Sequence, residues 1–90
     1  MRSYELITIH DPAKLEAGRK AVSEILSRNK ATGHKEEDWG DKRMPHDDGT
    51  MPMGRFLYHT LHAPPSTIKE MEHELQLEGS VARYMFGRGA

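Results

Sequence analysis

Ninety residues, 36% apolar and 30% charged, suffice for one compact domain over 1–90 and are too few for two separate cores. Thirteen Lys and Arg against fourteen Asp and Glu leave a formal charge of −1, which excludes a non-specific polycation and confines any nucleic-acid contact to local basic clusters. Without Cys there is no disulfide framework, thiolate chemistry or Cys-rich zinc site, and no apolar run reaches the roughly 18 residues of a membrane span or forms a signal-peptide core.

Residues 4–9, YELITI, are β-branched and apolar enough for a central strand. Asp11 and Pro12 end it and open a helix, Asp11 as N-cap and Pro12 where a missing N–H costs nothing. Leu15, Val22, Ile25 and Leu26 recur at helical spacing, with Gly18 and Ala21 where another element can approach, so one face of this helix covers something. From residue 31 to 53 the composition turns to Gly, Asp, His, Pro and Lys. Here we expect an edge strand over about residues 34–38, a turn at Trp39-Gly40 and a short arm returning to Met44, with residues 41–53 as a flexible hairpin or loop. Residues 54–62, GRFLYHTLH, form the clearest strand. Pro64 and Pro65 end it; Ser66 or Thr67 caps a second helix, Thr67 and Glu70 as a capping box, with Ile68, Met71 and Leu75 on its buried stripe. Gly79 permits a turn, and residues 81–86 read as the last strand.

Strand, helix, strand, strand, helix, strand is the split βαβ order of an α+β, ferredoxin-like fold: a four-stranded antiparallel sheet with two helices on one face and the other face bare. Strand alternation then assigns the faces. With Leu57, Leu61 and Ala63 under the helices, Phe56, Tyr58, Thr60 and His62 point away; with Leu6 and Thr8 inward, Ile7 and Ile9 point outward; with Tyr84 and Phe86 inward, Arg83 and Met85 point outward. A bare face carrying Ile7, Ile9, Phe56, Tyr58 and Met85, with Trp39 as the one large apolar anchor nearby, is a protein-docking surface. The opposite parity would make the same residues core.

Other chemistry is poorly supported by the residue pattern. His59 and His62 fall on opposite faces of a strand, and His46 with Asp47 and Asp48 sits in a polar loop, so a three-ligand metal set would have to be assembled from distant segments; we expect no metal and no cofactor. Glu36-Glu37 and Asp47-Asp48 are adjacent acids of a solvated surface. No nucleophile elbow, P-loop or dinucleotide turn is present, so no catalytic residue and no small-molecule substrate are assigned. A self-contained RRM-type binder stacking single-stranded RNA on Phe56 and Tyr58, and a homodimeric ferredoxin-like ligand-binding domain, are the alternatives from other classes.

Four segments, MRSYEL at 1–6, EEDWGDKRM at 36–44, GRFLY at 54–58 and VARYM at 81–85, together resemble the bacterial-type small-subunit ribosomal protein S-six family over nearly the whole chain. The resemblance implies a non-catalytic protein of the small ribosomal subunit that pairs with ribosomal protein S-eighteen and binds the central domain of small-subunit ribosomal RNA. That ribosome would be cytoplasmic, or organellar. By the same resemblance Arg2, Tyr4, Lys42, Arg43, Arg83 and Arg88 lie on the RNA side. Residues 45–49, PHDDG, are acidic where the family usually carries a basic loop.

Overall fold

The computed structural model describes residues 1–43 and 53–89. In chain order they form β1 (Arg2–His10), α1 (Leu15–Arg28), β2 (Thr32–Arg43), β3 (Met53–Ala63), α2 (Ile68–Leu77) and β4 (Arg83–Arg88), with a 3-10 turn leading into each helix. The sheet runs β2-β3-β1-β4 with antiparallel pairs throughout, which is the ferredoxin-like arrangement the element order predicts.

The helix starts differ in mechanism. Before α1, Asp11 accepts the Ala13 N–H at 3.0 Å and Pro12 opens the turn, as expected of an N-cap followed by proline. Before α2, the expected Thr67–Glu70 capping box is replaced: Thr67 is already in the right-handed helical region, so its hydroxyl turns back and donates to the Pro64 carbonyl at 2.8 Å.

One core lies between the helices and one face of the sheet. Leu6, Leu61 and Ala63 meet Val22, Ile25 and Leu26 of α1 and Met71 and Leu75 of α2, all with 2% exposure or less. Each fully buried side chain of the Val, Leu, Ile or Met type contributes about 1.5–3 kcal/mol. Tyr84 and Phe86 close the β4 side, their rings edge-to-face at 6.4 Å. The helices are also tied by Glu74, which accepts from Arg28 Nη2 at 2.6 Å and from the buried Asn29 Nδ2 at 2.6 Å. Leu57, Leu61 and Ala63 lie under the helices, as the alternation predicts.

Two strand boundaries depart from the sequence reading. β2 does not turn at Trp39-Gly40 but runs on to Arg43; the register slips between Asp38 and Gly40, so the glycine marks a bulge. Gly40 has φ +83°, a left-handed conformation natural to glycine, and its N–H donates to Asp38 Oδ1 at 2.8 Å. Asp41, Lys42, Arg43 and Met53 of the expected flexible hairpin are therefore strand residues; the rest of it, with the Met44 arm, lies outside the described residues. β4 begins at Arg83 and continues through Gly87 and Arg88, two residues beyond the expected end.

Candidate interaction face of the sheet

The face without helices carries an apolar centre. Ile7 pairs with Tyr58 on one side and Met85 on the other, and Ile9 pairs with Phe56 and Arg83, so these side chains share the outward row. The bulge in β2 adds Trp39, whose indole stacks on the Tyr58 ring with centroids 4.8 Å apart and planes 8° from parallel. Lys42 Nζ sits 5.3 Å from the Trp39 ring centroid and 5.7 Å from that of Phe56, a cation over two aromatic faces. Trp39 is 41% and Met85 52% exposed, a large apolar display for a chain of this size.

Two predicted surface residues belong elsewhere. Ile9 points to the outward face yet is 1% exposed, flanked by Phe56 and Arg83, so it is packed within this chain rather than offered to another. Tyr4, predicted on the RNA side, is 9% exposed and belongs to the core cluster, because its position in β1 has the same parity as Leu6.

The remaining RNA-side candidates split between the two ends of the sheet. Arg2 and Arg88 lie at the end where β1 begins; Lys42, Arg43 and Arg83 lie at the end where β1 finishes. Arg2, Lys42, Arg43, Arg83 and Arg88 are all exposed. Three other arginines are held by acids: Arg19 by Glu36 at 2.6 Å, Arg28 by Glu74 at 2.6 Å and Arg55 by Asp38 at 2.7 Å. The Arg55 guanidinium and the Gly40 N–H hold the Asp38 carboxyl down at about 2. On the bare face itself Glu5 accepts the Tyr58 hydroxyl at 2.6 Å, which raises the phenol's pKa and leaves a carboxylate beside the aromatic stack.

A polar seam beneath the N-terminal half of α1 is the arrangement the sequence reading missed. His10 Nδ1 meets the Ser80 carbonyl at 2.7 Å and His10 Nε2 meets Thr8 Oγ1 at 2.8 Å. Thr8 Oγ1 meets His59 Nε2 at 2.9 Å, and His59 Nδ1 meets His34 Nε2 at 2.9 Å. Burial lowers the pKa of all three imidazoles, that of His59 to about 3 with help from the neighbouring His34, His10 and Arg19 charges. His59 is thus neutral at neutral pH, and its 4.0 Å approach to Glu36 is no ion pair. His62, three residues on, is exposed on the other face.

With these surfaces defined, a family model and two sequence relatives fix the lineage. The family model described as ribosomal protein S6 matches residues 3–88. The chain belongs to the ribosomal protein S6 family. Small ribosomal subunit protein bS6 of Leptospira biflexa is 34% identical over 83 residues, covering 92% of this chain and 91% of the relative, and that of Fusobacterium nucleatum is 32% identical over 89 residues, covering 94% and 95%. The solved 30S ribosomal protein S6 of Thermotoga maritima superposes with a TM-score of 0.84 at 18% identity, covering 98% of this chain and 87% of the other. The C-terminal domain of the MgtC protein from Mycobacterium tuberculosis reaches a TM-score of 0.60 at 20% identity, covering 99% and 88%. The same fold therefore serves unlike proteins, and the family-model match and bS6 relatives, rather than the architecture, make this an S6-family small-subunit ribosomal protein.

Proposed function

We propose that this chain is a non-catalytic component of the bacterial small ribosomal subunit, holding ribosomal protein S-eighteen against its bare sheet face while its exposed basic residues meet the central domain of the ribosomal RNA. The observation that carries this reading is the exposed pair Trp39 and Met85 on either side of the half-buried Ile7, Phe56 and Tyr58, a surface suited to another polypeptide. Arg2, Lys42, Arg43, Arg83 and Arg88 supply phosphate contacts that position the protein but read little sequence.

An RRM-type reading fares worse on this face. The Tyr58 ring is already covered by Trp39, Lys42 sits over the Phe56 ring, and Glu5 beside Tyr58 repels phosphate, so neither Phe56 nor Tyr58 is presented as RRM stacking requires. The test is sedimentation of a lysate containing the tagged chain through sucrose at low and high salt. Co-migration with the small subunit supports the proposal; a peak at the free chain's mass under both salts, or at twice that mass, contradicts it, the latter in favour of a homodimer.

A further inference from the structure

The polar seam ends in three side chains of metal-ligating type. His34, Glu36 and His59 each offer a ligand atom, and these atoms lie within 4.8 Å of one another. They come from adjacent strands: Glu36 pairs directly with His59 in the β2–β3 register, and the irregularity between Thr32 and Lys35 admits His34 to the same cluster.

The hydrogen-bond chain dictates which nitrogen of His59 carries its proton. The Ser80 carbonyl only accepts, so His10 holds a proton on Nδ1; neutral His10 then accepts at Nε2 from the Thr8 hydroxyl. Thr8, its hydrogen spent, accepts from His59 Nε2–H. Neutral His59 is left with a lone pair on Nδ1, aimed at His34 Nε2. A ring whose far N–H is fixed by a partner and whose near nitrogen is bare is the state a metal ion requires of imidazole.

Glu36 is prepared in a similar way. Arg19 Nε donates to Oε2 at 2.8 Å and its Nη2 forms an ion pair with the same oxygen at 2.6 Å, while Oε1 is the oxygen that lies 4.0 Å from His59 Nδ1. Ligands on a tetrahedral zinc ion, with bonds of about 2.0–2.2 Å, stand roughly 3.3 Å apart, between the 2.9 Å and 4.0 Å separations found here. β2 is the sheet's edge, and His34 and Glu36 are only partly buried, so an ion and a fourth, water ligand have a route in.

We propose that His34 Nε2, Glu36 Oε1 and His59 Nδ1 form a binding site for one divalent ion of the zinc class, with Thr8 and Arg19 as the groups that orient its ligands. On binding, His34 moves its proton from Nε2 to Nδ1 and the His34–His59 hydrogen bond gives way to two metal–nitrogen bonds. Two nitrogens and one carboxylate oxygen suit Zn²⁺, and Co²⁺ serves as its visible probe.

The experiment titrates the full chain with zinc chloride by calorimetry and with cobalt chloride by visible absorption, alongside His34→Ala, Glu36→Gln and, as a surface-histidine control, His73→Ala. Thermal melts verify that each variant folds. The proposal expects one ion per chain, tetrahedral cobalt bands, a zinc-dependent rise in Tm, and loss of all three in His34→Ala and Glu36→Gln but not in His73→Ala. In the wild-type chain zinc also shifts the His59 Nδ1 resonance, which reports the ligand most deeply buried. Absence of binding by the wild-type chain, or binding that survives in both ligand variants, overturns it and leaves the seam as a hydrogen-bond chain only.

Discussion

Gly18 of α1 lies so close to His10 of β1 that a Cβ built on it would stand 2.2 Å from His10 Nδ1 and 2.9 Å from the Ser80 carbonyl oxygen. The glycine is what lets the helix close over the His10–Ser80 hydrogen bond. In an exposed helix, Gly→Ala gains about 1 kcal/mol. Here Gly18→Ala is expected to lose about 1–3 kcal/mol through overpacking against backbone and a buried ring. A urea midpoint that falls verifies this; a midpoint that rises shows the contact to be yielding.

Stability should fall as the solution is acidified below pH 6.5. Burial holds the pKa values of His10, His34 and His59 below the ordinary imidazole value of about 6.5, so the unfolded chain binds protons the folded chain refuses. The contribution is absent above 6.5 and grows as pH falls, continuing for His59 down to about 3. Each such proton steepens the loss by about 1.4 kcal/mol per pH unit. Denaturant melts from pH 8 to pH 4 read the slope, and His34→Gln should reduce it. A flat profile between pH 7 and pH 5 would refute the neutral seam.

At the β2 bulge, Gly40→Ala meets nothing within 4 Å, so any cost is one of backbone conformation alone. With φ at +83° that cost should be about 1–2 kcal/mol, and Gly40→Asn should cost less, because Asn tolerates the left-handed region. Tryptophan fluorescence during unfolding reports both variants, since Trp39 is the chain's single Trp. Equal stability of all three chains would show that the bulge is not strained by a side chain.

Much of the fold was legible because two of its signals are periodic. The alternation in residues 54–63 put Leu57, Leu61 and Ala63 under the helices, and the spacing of Val22, Ile25 and Leu26 marked the buried stripe of α1. What failed was local and two-valued. Gly40 reads as a turn in sequence, but the same conformational freedom serves a bulge, and only pairing with Phe56 decides between them. Ile9 has the parity of the bare face and still ends up covered, since burial depends on neighbours from two other strands. The seam was out of reach because His34 and His59 are 25 positions apart and meet through a register no spacing rule encodes. A Thr8–His10 pair on a core-facing strand was its one visible hint, since buried polar groups need partners.

The central claim is that the bare face holds a protein partner and that RNA binding depends on it. Fluorescence anisotropy of a labelled central-domain ribosomal RNA fragment, titrated with this chain in the presence and absence of ribosomal protein S-eighteen, tests it most directly. Met85→Glu places a charge at a site that is 52% exposed and should leave the melting curve unchanged. The account predicts tight, salt-sensitive RNA binding only when both wild-type proteins are present, and its loss in Met85→Glu. RNA binding by the wild-type chain alone with undiminished affinity, or a Met85→Glu chain that performs as well as the wild type, would contradict it.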